Sequence, residues 1–191
     1  MTIANLIRKL PEYADDIKQN LDNIFIQDKN NLSKLQLYGV ALSVAYLLKN
    51  EQLLNNVRME AKMFLEEVDA TACKVAAIMM AMNNTYYHFI KDIESDDDLG
   101  AKESGLRMES VTNPAINQTE FDMYCLAVSI LHGCNYCCNV HSRKLRAKGV
   151  TDGMIGDIAR IVSVLKAARD TLDIERMRSY DFIVREESIG G

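Results

Sequence analysis

Apolar residues recur at three- and four-residue intervals along almost the whole chain, and that periodicity leaves little choice of fold. Ile3, Leu6, Ile7 and Leu10 form one such set, and Tyr13, Ile17 and Leu21 a second. Leu35, Tyr38, Ala41, Leu42, Ala45 and Leu48 form a third, and Ile155, Ile158, Ile161, Val162 and Leu165 another. Residues at this spacing line one face of an α-helix. No stretch alternates apolar and polar residues as a half-buried strand requires. Ten Met and many Ala and Leu favour helix further, while two Pro and nine Gly leave little room for linkers. The expected class is all-α, with the 191 residues forming a single domain over 1–191.

Capping and breaking residues divide the periodic stretches. Pro11 suits the first turn of a second helix, Asp28–Asn31 forms a polar break, and Ser33 caps the helix that follows. A further helix is expected from about Glu51 to Glu67. Thr71 opens the next, whose Val75–Met82 stretch is apolar nearly all round, as in a buried central helix. Glu94–Gly100 reads as an acidic surface loop and Asn113-Pro114 as a second break. Thr119-Glu120-Phe121-Asp122 fits a capping box, with Thr119 as N-cap and Asp122 as its third helical residue. That helix runs to a turn at Gly133. Another ends at Gly149, and Thr151 caps its successor. Beyond about Thr171 the tail is expected to form one more short helix and to fray by Gly190-Gly191.

The chain also echoes itself. Leu37–Val44 aligns with Met123–Ile130 at an offset of 86 residues, with Tyr, Ala and Ser matching outright. This suggests a duplicated helical unit, the first copy about 33–89 and the second about 119–170. The same offset sets Leu48, Glu51 and Asn55 opposite Cys134, Cys137 and His141, so only the second copy would hold chemistry.

A hydrophobic share of 48% with 26% charged residues is that of an ordinary globular protein. With 22 basic and 27 acidic residues the net charge is −5, and no Lys/Arg cluster is long enough to track a phosphate backbone. The densest, Arg143-Lys144-Leu145-Arg146, reads as the solvated end of a helix, so nucleic acid is not an expected partner. The N-terminal residues lack the apolar core of a signal peptide, and no stretch approaches the roughly 18 apolar residues of a membrane span. A cytoplasmic location is expected. There, five cysteines fit catalysis or metal binding better than a disulfide framework.

The chemistry concentrates in Gly133-Cys134-Asn135-Tyr136-Cys137-Cys138-Asn139-Val140-His141. On a helix, Cys134 and Cys137 stand at i and i+3, and Cys137 and His141 at i and i+4, so all three share a face. Two thiols so spaced can close a disulfide in a tight ring. An adjacent imidazole can take a thiol proton, and a helix N-terminus favours a thiolate. A redox-active dithiol, half of a zinc site and inert core packing all fit this pattern. Four ligands on Cys134, Cys137, Cys138 and His141, within two turns of one helix, would surround an ion tetrahedrally only with difficulty.

The segment Asp122–His141 resembles the active-site segment of the AhpD-type alkyl hydroperoxidases, in the carboxymuconolactone decarboxylase-like superfamily. Leu10-Pro11-Glu12-Tyr13-Ala14, Ala81-Met82-Asn83-Asn84 and Gly105-Leu106-Arg107-Met108 resemble that family too, so the likeness spans nearly the whole chain. It implies an all-helical subunit with an internal duplication, assembled as a homotrimer, that reduces organic hydroperoxides with thiols. No bound cofactor is implied. The implied electron donor is an external dithiol of dihydrolipoamide type on a lipoyl protein, and a peroxiredoxin is an implied partner. By position, Cys137 matches the cysteine that becomes the sulfenic acid. Cys134 matches the more exposed cysteine that resolves it as a Cys134–Cys137 disulfide, and His141 matches the relay histidine. The superfamily's lactone-decarboxylating branch is the alternative activity, but that chemistry has no use for a dithiol.

Two positions depart from the family pattern. Where the family has a glutamate twelve residues before the first cysteine, this chain has Asp122, one methylene shorter, so contact with His141 is expected to need a water. Glu120 lies about 200° away around a helix and is a poor substitute. Between the cysteines Tyr136 replaces a histidine; it can donate a hydrogen bond to a thiolate but brings no positive charge near pH 7. Cys138, Cys125 and Cys73 read as packing residues, His132 as a helix-end residue and His88 as a surface one. The Met residues of the central helix read as core filler.

Overall fold

The computed structural model describes residues 2–92 and 104–181, so the loop expected at Glu94–Gly100 and the tail at Gly190-Gly191 lie outside the described residues. Among the described residues the regular elements are helical throughout. They are α1 (Ile3–Lys9), a 3₁₀ turn (Glu12–Ala14), α2 (Asp15–Leu21) and a π-helical turn (Asp22–Ile26). Then follow α3 (Lys34–Leu48), α4 (Glu51–Ala61), α5 (Glu67–Asp92), the single turn α6 (Glu109–Thr112), α7 (Gln118–His132), α8 (Asn135–Ala147) and α9 (Asp152–Asp181).

Helices α3 and α7 form the centre. Leu37–Ala45 of α3 and Phe121–Ser129 of α7 are buried without interruption. The two pack on each other and are flanked by α5 and α9, while α4 covers α3 and α8 covers α7 and α5. Close approach in the centre depends on one residue. A Cβ added at Gly39 would overlap the Tyr124 ring, itself fully buried. Gly39→Ala should therefore destabilise the fold by about 1–3 kcal/mol. A thermal melt would register about 2–4 °C for each kcal/mol lost.

Several expected helix boundaries hold. Ser33 accepts a hydrogen bond from the Gln36 amide and Gln36 reaches back to the Ser33 amide, a complete capping box. Thr151 accepts from the Met154 amide, and Gly149 takes φ +82° just beyond α8. Others move. The helix expected to reach Glu67 ends at Ala61, and α5 begins at Glu67 rather than at Thr71 because the Asp69 carboxylate accepts the Glu66 amide and secures an earlier start. Pro11 precedes a 3₁₀ turn, not an α-helical first turn. No separate tail helix forms near Thr171. The Thr171 hydroxyl donates to the Ala167 carbonyl, and α9 continues unbroken to Asp181.

The two segments of the internal echo share local detail, though not one register. At the 86-residue offset, Ser43 and Ser129 both donate to the carbonyl four residues back, Gly39 and Cys125, at 2.8 Å. The helix ends, however, recur at 84 residues, Lys34–Leu48 against Gln118–His132, each 15 residues long. Each is followed by one left-handed residue, Lys49 or Gly133, and then by an N-cap, Asn50 or Cys134. Matched by helix ends, Asn50, Leu53 and Val57 stand opposite Cys134, Cys137 and His141, in place of Leu48, Glu51 and Asn55.

Candidate active site

Gly133, at φ +70°, lets the chain leave α7 and start α8 within two residues. Cys134 is the N-cap of α8, and its sulfur accepts the Cys137 amide at 3.3 Å. The two sulfurs lie 2.8 Å apart as free thiols, beyond the roughly 2.05 Å of a bonded pair but near enough to close one with a small movement. Cys137, His141 and Leu145 form the buried stripe of α8, turned toward α7 and α5.

From α7, Asp122 meets this stripe at 1% side-chain exposure. Its Oδ1 lies 3.2 Å from His141 Nδ1, and its Oδ2 accepts a hydrogen bond from Lys148 Nζ at 3.1 Å. Burial pushes this carboxyl's pKa up, but hydrogen bonds from His141 and Lys148 more than offset that and hold it below the usual value. Asp122 and His141 are thus in direct contact, with no water needed.

The expected capping box at Thr119 does not form. Asn117 is the N-cap, accepting from the Thr119 amide, which moves Asp122 more than a turn into the helix and frees its carboxylate for His141. Glu120 sits apart, its pKa raised by burial and by Asp69.

The exposures of the two cysteines reverse the expected order. Cys134 is 1% exposed and Cys137 5%, because the cap geometry folds the Cys134 sulfur under the start of α8. Cys137, not Cys134, lines a cleft of about 200 Å³, beside His141, Tyr136, Val140, Met80 and Asn83. Burial, the adjacent Cys134 and the nearby Cys138 raise the Cys137 pKa, so a base is needed to generate its thiolate. With Nδ1 directed to Asp122, Nε2 is the ring nitrogen left for other partners.

Tyr136 shares the cleft with Cys137 and His141. Its ring is 40% exposed, 5.1 Å from the Tyr87 ring centroid, with Lys91 Nζ 5.2 Å from its own. It walls the cleft. Half-buried Cys138 has a pKa pushed up to about 11 by burial and by Cys134. Cys125 is fully buried with its pKa well raised, and Cys73, also buried, donates to the Gly39 carbonyl, so both pack the core. His132 and His88 are both exposed. Among the described residues no three His, Cys, Asp or Glu side chains converge as metal ligands.

Lys148 is the site residue that sequence reasoning missed. It stands seven residues after His141, two turns along the same face, a spacing that was readable. Lys148→Met should let the Asp122 pKa rise toward the ordinary carboxylate value. A depressed carboxylate stabilises the fold above its unfolded pKa, and that contribution is lost as pH falls through the folded pKa. Acid unfolding of Lys148→Met, followed by circular dichroism, should therefore begin at higher pH than in the wild type.

The chain is similar to known proteins over most of its length. Residues 98–172 match the family described as "Carboxymuconolactone decarboxylase family". The chain is 36% identical over 173 residues to "Alkyl hydroperoxide reductase AhpD" of Frankia alni, covering 91% of this chain and 92% of the relative. The protein of the same name from Coxiella burnetii is 37% identical over 168 residues, 87% of this chain and 94% of its own. That of Streptomyces griseus is 34% identical over 175 residues, 92% and 97%. Identity of this level over nearly the full length of both chains leaves no doubt of descent, and the chain belongs to the AhpD-type alkyl hydroperoxide reductases of the carboxymuconolactone decarboxylase family.

Proposed function

We propose that this chain is a dithiol peroxidase that reduces organic hydroperoxides through Cys137 and Cys134. The observation that carries the reading is the pair of sulfurs 2.8 Å apart at the start of α8, beside a buried His141–Asp122 pair. His141, oriented by Asp122, takes the Cys137 proton through a water. The thiolate attacks the terminal peroxide oxygen. An S–O bond forms, the O–O bond breaks, sulfur is oxidised by two electrons, and the alkoxide leaves as alcohol with the proton returned by His141. The Cys134 thiol then displaces hydroxide from the Cys137 sulfenic acid, giving a disulfide and water.

An external dithiol resets the enzyme by thiol–disulfide exchange, taking up the disulfide and leaving two thiols. The proposed donor is a dihydrolipoyl protein, with a peroxiredoxin as a further electron acceptor, both acting in the cytoplasm. Because Cys134 is the more enclosed sulfur, attack by the donor requires the first turn of α8 to open. A homotrimer is favoured by an apolar seam on α5: Val68, Val75, Met82 and Phe89 recur every seven residues, and Val68, Ile78 and Phe89 are exposed. No helix among the described residues is long and apolar enough to cross a membrane.

The test is titration of the reduced protein with limiting organic hydroperoxide, followed by peptide mapping by mass spectrometry. One disulfide per equivalent of peroxide, between Cys134 and Cys137, is expected. Thiols that survive the peroxide would overturn the reading.

A further inference from the structure

A buried polar atom without a hydrogen-bond partner costs free energy, so one that persists in a cleft beside reactive groups points to a ligand. Three buried side-chain atoms among the described residues lack such a partner: Asn83 Oδ1, Tyr124 Oη and Arg169 Nε. Only Asn83 belongs to the wall of the cleft that also holds Cys137 and His141. It is 5% exposed. Met80, Asn83 and Tyr87 follow one another at i, i+3 and i+7 on α5 and present one face to that cleft.

The neighbouring amide is a useful contrast. Asn84 lies 3.1 Å from the Ser129 hydroxyl, which it shares with the Cys125 carbonyl, and donates to the Val128 carbonyl, so the fold itself occupies its hydrogen-bonding groups. Asn83 has no comparable structural employment for its oxygen. Around it the cleft is otherwise largely apolar, with Met80, Met108, Val111 and Val140 suited to an alkyl group. A ligand meeting both demands has an apolar body and one O–H donor.

We infer that Asn83 is a substrate-binding residue, whose Oδ1, enclosed behind the cleft wall in this structure, swings into the cleft about the amide's own torsion to accept the O–H hydrogen bond of an organic hydroperoxide and turn its terminal oxygen toward Cys137. This rests on the peroxidase reading. The bonds made and broken are those given above, and the hydrogen held by Asn83 stays on the transferred oxygen, which becomes the sulfenic hydroxyl. Asn83 thereby fixes the line of attack along the O–O bond, leaving deprotonation of Cys137 to His141.

The experiment compares Asn83→Leu, which keeps the volume and removes the acceptor, with the wild type. Oxidation of the reduced protein by tert-butyl hydroperoxide is followed by stopped flow, and alkylation of its thiols by iodoacetamide is measured in parallel. Oxidation about 10- to 100-fold slower, with alkylation within about twofold of wild type, is expected for loss of a hydrogen bond to the reacting group. Oxidation at the wild-type rate would overturn the inference. So would equal slowing of both reactions, which would make Asn83 a support for the thiol rather than a contact for peroxide. If Asn83→Leu does not fold, Asn83→Ala is read by the same criteria. A wild-type protein that fails to react with the hydroperoxide would remove the peroxidase reading itself, an outcome distinct from an unaffected variant of a reactive enzyme.

Discussion

Cys134→Ser should consume one equivalent of organic hydroperoxide and then stop, whereas Cys137→Ser should consume none. The asymmetry follows from position. Cys137 lines the cleft beside His141, while Cys134 is enclosed beneath the first turn of α8 and meets the peroxide only through the sulfur it contacts. Without Cys134 the sulfenic acid has no resolving thiol at 2.8 Å, so it persists and a dimedone adduct on Cys137 should be recovered by mass spectrometry. Without Cys137 no nucleophile faces the cleft, and turnover should fall by on the order of 10³-fold or more. Cys138 provides the internal control. Its pKa is pushed up to about 11, and Cys138→Ser should leave turnover within about twofold of wild type, a small effect typical of a residue outside the reacting set. If Cys138→Ser were instead the silent variant and Cys137→Ser active, the assignment along α8 would be wrong by one residue.

Much of this site was legible because it is local. The i, i+3 and i+4 relations among Cys134, Cys137 and His141 depend only on their lying at the start of one helix, and Gly133 and Gly149 mark where that helix begins and ends. Contacts between helices were harder to read. The sequence pointed to Thr119 as the N-cap of α7, and the choice of Asn117 in its place decides whether Asp122 caps a helix or faces His141. Tertiary packing makes that choice, since Asp122 is stabilised by partners 19 and 26 residues away. Asn83 was invisible for a related reason. Its amide differs from that of Asn84 only in which neighbours the packing of α5 against α7 supplies. Helix α9 outran its expected end because nothing after Thr171 stops it: no Pro or Gly occurs before Gly190, and the Thr171 hydroxyl satisfies itself within the helix.

Asp122→Asn separates a positioning carboxylate from a merely structural one, and two profiles are needed to do so. For stability, the Asp122 carboxyl is held below its ordinary pKa, so folding favours its ionised form. That contribution is complete above the unfolded value of about 3.9 and disappears as pH falls through the folded value. Near pH 7 the variant should lose about 1.5–3 kcal/mol, the range for hydrogen bonds to a buried charge, and the difference from wild type should shrink below about pH 4. For activity, asparagine can still accept from His141 Nδ1 but no longer offsets the charge that develops when the imidazole takes the Cys137 proton. Oxidation by hydroperoxide should therefore slow by about 10²–10⁴-fold at neutral pH, where the folded population remains high. Asp122→Glu tests the geometry. The native contact is already 3.2 Å in a site with 1% exposure, so an added methylene has to displace His141 or Lys148, and the rate should lie between those of Asn and Asp. A variant that melts as predicted yet oxidises at the wild-type rate would make Asp122 a strut, leaving His141 to act on Cys137 unaided. Slow oxidation by a well-folded Asp122→Asn protein would instead show that the carboxylate works through the imidazole, because its hydrogen bonds go to His141 and Lys148 and it is His141 that shares the buried face of α8 with Cys137.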